Sequence, residues 1–155
     1  MTFKEPNQLP TERAAWLAKD FCQGFIDFVG CTVSKIQWGK CESRLTVAPR
    51  HAQQDGFVHA GVTGAMADHT MGYAAFTIIP QDCRILSVEY KLNFIRPAVG
   101  QELVCRGRVI KPGRTLIPTE AEVLAVNHGE FRLVAKAMAS MAVVPASRIS
   151  DPAPK

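Results

Sequence analysis

The residues best suited to chemistry gather in one stretch. Residues 60–79 are apolar or small at nearly every position, the pattern of a helix enclosed by other structure, and Asp68 and His69 interrupt it. A carboxylate in such surroundings loses its hydration and must recover the cost through hydrogen bonds, a partner charge or protonation. It is also the kind of group that can take a proton from water or attack a carbonyl itself, which makes Asp68 the first candidate for catalysis. Near the start of the helix, Gly61 carries a backbone N–H that no preceding turn satisfies. It sits at the positive end of the helix dipole, suited to an oxygen that becomes negative during attack. Seven residues separate Gly61 from Asp68, so the two share a helical face but lie roughly 10 Å apart along the axis. One helix cannot easily bring both to one carbonyl, whereas two antiparallel helices across a dimer can. His69 projects about 100° away from Asp68 and is expected to pack, or to touch a partner chain, rather than pair with it.

The elements that must position these groups follow from the flanking pattern. Pro10-Thr11-Glu12 reads as a helix start, with Thr11 as N-cap and Glu12 favourable against the dipole. Leu17, Phe21, Phe25 and Phe28 recur at helical spacing as one apolar stripe that ends at Gly30, a C-cap residue. Runs at 32–38 and 42–47, separated by Gly39-Lys40, predict a hairpin, and a polar loop with His51, Gln53, Gln54 and Asp55 leads into the central helix. Beyond Pro80-Gln81-Asp82 four strands are expected, at 85–95, 102–109, 115–126 and 130–144, with Gly, Pro and Asn in the separators. Two strands, one enclosed helix and four long strands make an α+β pattern. The sheet is expected to curl about the helix. In the first long strand Val88, Tyr90, Leu92 and Phe94 alternate with Glu89, Lys91 and Asn93, as a half-buried strand should. Such a sheet leaves strand edges open, so dimerisation by edge pairing is expected.

These residues carry a resemblance. The run Gly56-Phe57-Val58-His59-Ala60-Gly61, with Asp68 beyond it, resembles the H-G-G-x(6)-D stretch of hotdog-fold acyl-CoA thioesterases of the PaaI type, and Gly72-Tyr73-Ala74-Ala75 continues the match. Residues 87–100 resemble the third strand of that family with its R-P-A-x-x-G exit, and Lys111-Pro112-Gly113-Arg114-Thr115-Leu116 is similar to its fourth turn. The chain departs from the pattern in having Ala60 for the first glycine of H-G-G, and Gln53 where the family commonly has Asn.

The resemblance implies a hotdog fold, a long central helix wrapped by a curved antiparallel sheet of about six strands. Residues 1–30 would form an N-terminal helical segment of the same domain, 31–145 the hotdog unit and 146–155 a frayed tail. It implies hydrolysis of acyl- or aryl-CoA thioesters in sites shared across a homodimer, itself assembled into a homotetramer. Asp68 would be general base or nucleophile, and the Gly61 N–H of the partner subunit the oxyanion donor. Gln53, His59 and Ser87 would position carbonyl or water. For His59, fixing the loop-to-helix turn is an equal reading; for Ser87, an ordinary strand serine is another. Arg96, Lys111 and Arg114 sit at turns where cations could meet coenzyme A phosphates. No metal or prosthetic group is implied, and coenzyme A enters as part of the substrate. A non-catalytic acyl-CoA binding module is the competing class.

Composition narrows the field. Eighteen Lys and Arg against 14 Asp and Glu give a net charge of +4, but the basic residues lack the interleaved aromatics of a nucleic-acid surface. The five cysteines are widely spaced with no C-x-x-C, so neither a zinc site nor a disulfide framework is expected. Residues 60–79 are long enough to raise a membrane span, yet an Asp-His pair among Gly and Thr is poor material for lipid. With no leader pattern at the amino terminus, a soluble, cytoplasmic protein is expected. No P-loop, dinucleotide fingerprint or G-x-S-x-G competes with the helix carboxylate.

Overall fold

The computed structural model describes residues 8–149. Two N-terminal helices, α1 (Thr11–Phe21) and α2 (Gly24–Val29), precede the hairpin of β1 (Cys31–Gln37) and β2 (Lys40–Thr46). A 3-10 turn at Pro49–His51 leads to the central helix α3 (Ala60–Phe76), followed by β3 (Cys83–Phe94), β4 (Glu102–Val109), β5 (Leu116–Asn127) and β6 (Glu130–Pro145). All six strands pair antiparallel in the order β1-β2-β4-β5-β6-β3, which leaves β3 as an edge. This is the hotdog arrangement expected from the sequence.

The sheet wraps α3 closely. Met66, Ala67, Met71, Ala74 and Ala75 of the helix are fully buried with Leu103, Cys105, Val123, Ala135 and Met141 of the sheet. The closest approach is at Gly107 of β4, where an added Cβ would lie 2.9 Å from the Thr70 carbonyl oxygen; only glycine lets the helix backbone lie on the strand there. Ser43 and Thr70, both buried, share a 2.6 Å hydrogen bond, and Thr70 Oγ1 also donates to the Met66 carbonyl, so both hydroxyls are satisfied. The β5–β6 hairpin turns on His128 and Gly129 at φ 48° and 82°, positive values that match the twist of its strands.

Four details differ from the sequence reading. The N-terminal helix is two helices broken at Cys22-Gln23, so the stripe splits: Leu17 and Phe21 are fully buried, whereas Phe25 and Phe28 are 65% and 76% exposed and Ile26 and Val29 point inward instead. Pro10, not Thr11, occupies the N-cap position, and no side chain caps that end; Gly30 does close α2, in the left-handed region at φ 90°. The central helix stops at Phe76, where Thr77 takes over the last turn by donating to the Ala74 carbonyl and accepting from the Gly39 N–H. Among the described residues no helix is long and apolar enough to cross a membrane. Finally, the supposed tail begins with a 3-10 turn at Ala146–Arg148, whose first N–H is bonded to the Asp82 carbonyl; the remainder, 150–155, lies outside the described residues.

Candidate active site

The carboxylate of Asp68 is built into the seam between α3 and the edge strand. Ser87 Oγ donates to Asp68 Oδ1 at 2.7 Å, and both line a cavity of about 240 Å³ with His69, Tyr73, Phe76 and Arg84. A bulge makes this contact possible. Between Ser87 and Glu89 the β3–β6 register slips, leaving Val88 unpaired and exposed. The alternation is thereby reset, so that Ile85 and Ser87 on one side of the bulge, and Tyr90 and Leu92 on the other, all reach α3. Val88 therefore drops out of the inward set that strict alternation assigns it. Asp68 itself is half-buried in the single chain, not enclosed.

Helix α1 braces this end. His69 Nε2 is bonded to the Phe21 carbonyl at 3.0 Å, and the imidazole packs edge-on against the Phe21 ring with centroids 4.4 Å apart. Burial pushes the His69 pKa below its ordinary value, outweighing the pull of that bond and of Asp68. His69 thus lines one wall of the Asp68 cavity, held there by Phe21 and not paired with the carboxylate. The Tyr73 hydroxyl donates to Asp20 Oδ2 at 2.7 Å and is held protonated by burial and by that carboxylate.

The helix N-terminus is arranged differently from the sequence expectation. His59 is the N-cap, and its Nδ1 accepts the Gly61 N–H at 2.8 Å, so the amide expected to be an oxyanion donor already has a partner. The imidazole lies so close that a Cβ on Gly61 would be 3.0 Å from Nδ1. Val62 and Thr63 donate to the His59 carbonyl. Among the described residues Ala60 N–H alone of these amides has no hydrogen-bond acceptor. The sequence offers a signal for it, since the first residue after an N-cap always has an unpaired N–H. Ala60 lines a separate cavity of about 380 Å³ with Gln53, Phe94, Ile95 and Arg96. There Gln53 Oε1 accepts the Asp55 N–H at 2.7 Å, which fixes the side chain and leaves its amide NH2 free to donate. His51, fully enclosed, ties this loop to α2: its Nδ1 accepts from the Ala48 N–H and its Nε2 donates to the Val29 carbonyl.

The site residues therefore form two groups in one chain. Asp68 and Ser87 lie beside the first half of β3; Gln53 and Ala60 lie beside its far end at Phe94, with His59 and Gly61 just outside that cavity. The cations divide as well. Arg96, at the Phe94 end, donates to the Leu133 carbonyl at 3.0 Å, whereas Lys111 and Arg114 lie in the β4–β5 turn, at the end of the sheet where Cys83 pairs with Pro145. All three are exposed.

The thioesterase superfamily model matches residues 55–131, from the loop before α3 to the start of β6. A thioesterase family protein from Silicibacter pomeroyi is 32% identical and superposes with a TM-score of 0.82, covering 85% of this chain and 98% of that one. The chain belongs to the thioesterase superfamily. A conserved protein from Pseudomonas aeruginosa is 30% identical, with a TM-score of 0.73 over 82% of this chain and 99% of its own. A phenylacetic acid degradation-related protein from Ralstonia eutropha, at 24% identity and a TM-score of 0.67, covers 75% of this chain and 86% of that one and shares the fold. The matched segment includes Asp68, Ser87, Ala60 and Arg96, and excludes Gln53 and both N-terminal helices.

Proposed function

We propose that this thioesterase superfamily member hydrolyses acyl- or aryl-CoA thioesters in sites shared by two copies of the chain. The observation that carries the reading is the placement of two incomplete groups beside opposite ends of one edge strand, β3, whose outer side has no neighbouring strand among the described residues. If the β3 edges of two copies pair antiparallel, the Ser87 region of one strand meets the Phe94 region of the other. Asp68 of one copy then faces Ala60 and Gln53 of the second. The exposed apolar side chains of β3, among them Leu86, Val88 and Phe94, are the surface such pairing would cover. The same operation brings Arg96 of one copy toward the sheet end that carries Lys111 and Arg114 of the other, a cationic rim for the phosphates of coenzyme A.

In this mechanism the thioester carbonyl oxygen is held by the Ala60 N–H and the Gln53 side-chain amide. Asp68, oriented by Ser87, either takes a proton from the attacking water and returns it to the departing thiolate, or attacks the carbonyl carbon to form a mixed anhydride that water then opens to the free acid. Negative charge that develops on the oxygen is met by donors already in place. His59 acts at one remove, occupying Gly61 and keeping the first turn of the helix in register. Coenzyme A is the leaving thiol, and the chemistry uses no prosthetic group. Further pairing of dimers into a tetramer is compatible with this scheme, and a cytoplasmic location suits its substrate.

Asp68→Asn tests the assignment. The variant is expected to keep its fold and oligomeric state while thioester cleavage falls at least about 100-fold, the scale for loss of a catalytic acid or base. Unchanged release of free thiol would remove Asp68 from the mechanism. Saturable binding of acyl-CoA by the wild-type protein without any thiol release would favour a binding module instead.

A further inference from the structure

The cavity beside Asp68 holds a cation that the hydrolytic scheme does not use. Arg84 lies on the same strand as Ser87 and reaches the Phe76 ring, its guanidinium carbon 6.0 Å from the ring centre. One arm of the side chain is structural: Nη1 donates to the Gln81 and Cys83 carbonyls at 3.3 and 2.9 Å. The other arm, Nε and Nη2, has no hydrogen-bond acceptor among the described residues, and Arg84 makes no ion pair among them. A second guanidinium lies behind Phe76. Arg13 lies over both Trp16 and Phe76, 4.6 and 4.9 Å from their ring centres, and its Nη2 is buried without a partner among the described residues. Asp20, which attracts Arg13, is already engaged by Tyr73 and Gln23. Burial and the neighbouring Arg84 lower the Arg13 pKa, against the opposing pull of Asp20 and Tyr73.

The line from Asp68 to this cation follows the helix. Phe76 is eight residues beyond Asp68, roughly 12 Å along the axis, and Gly72 between them leaves the floor of the groove open. A thioester held at Asp68 would thread its acyl part past Gly72 toward the free arm of Arg84. A plain hydrocarbon end there would strip water from a guanidinium and return no acceptor. A carboxylate would form charge-assisted bonds, two in parallel if the fork is used. Asp68 and Arg84 line the same cavity, about 240 Å³ in the single chain, so an acyl part that links the two is short.

We propose that Arg84 is a specificity residue that binds an anionic group at the far end of the acyl chain, so that short acyl thioesters carrying a second carboxylate are the preferred substrates. This rests on the hydrolase reading above. The test compares glutaryl-CoA with hexanoyl-CoA, using the full-length protein and its Arg84→Met and Arg84→Lys variants. Wild-type kcat/KM is expected to favour glutaryl-CoA. Arg84→Met should lower the glutaryl-to-hexanoyl ratio by about 10- to 100-fold, as for loss of hydrogen bonds to a charged group, and Arg84→Lys should restore part of it. A wild-type enzyme indifferent to the carboxylate, or an unchanged ratio in Arg84→Met, overturns the proposal while leaving the hydrolase reading intact. If no ester is turned over, the hydrolase reading fails, and the anion site is judged by binding of the non-hydrolysable thioether analogues of the same two esters. Equal affinities for those analogues would then overturn it.

Discussion

At the Ser87 end of β3 the candidate site is made of side chains braced by other side chains, whereas at the Phe94 end it centres on a backbone N–H held by helix geometry. Asp68 is oriented by Ser87, and its neighbour His69 is pinned by Phe21 of α1. Ala60 needs only to follow an N-cap, a role His59 fulfils. The contrast explains the departure noted in the sequence. A backbone donor is indifferent to a methyl group, so in the proposed scheme Ala60 can stand where the H-G-G pattern has glycine. A side-chain carboxylate has no such latitude.

The largest expected effect comes from loosening the brace. Phe21→Ala should cost about 3–5 kcal/mol of stability, the scale for a fully enclosed aromatic, and lower the melting temperature accordingly. Phe28→Ala, on the exposed neighbouring helix, should change it by less than about 0.5 kcal/mol. A comparable loss at Phe28 would mean that this aromatic surface is covered in the assembled protein. Next is Ala60→Pro, which replaces the N–H by a ring carbon at the edge of the Gln53 cavity. Proline is well accepted at the first helical position, and His59, at φ −60° and ψ 138°, already has the conformation that precedes it. Cleavage should drop about 10²- to 10³-fold with the helix content intact. Co-expression with Asp68→Asn should then recover activity through mixed dimers that keep one complete site, and no recovery would argue against sharing. The smallest effect is a pH dependence at the braced end. Because His69 has a pKa below 6.5 when folded, the unfolded chain binds more protons just below that value. Its contribution to stability is therefore complete above pH 6.5 and declines as the pH falls through the window down to the folded value. His69→Gln should flatten that part of the stability profile in denaturant titrations.

Much of the architecture was legible because it rests on local periodicity. The β4 boundaries coincide with the expected ones, and β5 and β6 differ by a residue, since alternation and turn residues mark them directly. The break between α1 and α2 leaves no such local mark. Phe25 and Phe28 continue a helical spacing that Cys22-Gln23 interrupts, and no pattern of side chains reveals a backbone break that turns the next face outward. The β3 bulge was equally hidden. One unpaired residue does not alter composition, yet it decides that Ser87 and Tyr90 both reach the helix.

What the amino-acid order determined alone was the enclosed helix, its single central carboxylate and the α+β arrangement around them, because hydrophobic period and turn chemistry act over a few residues. The tertiary structure decided which groups are free to react. It occupied the Gly61 amide with His59, left Ala60 open, set Arg84 beside the Asp68 cavity, and divided the cations between opposite ends of the sheet. Such outcomes depend on which donors and acceptors meet across distant segments, and that accounting is complete only when the chain is folded.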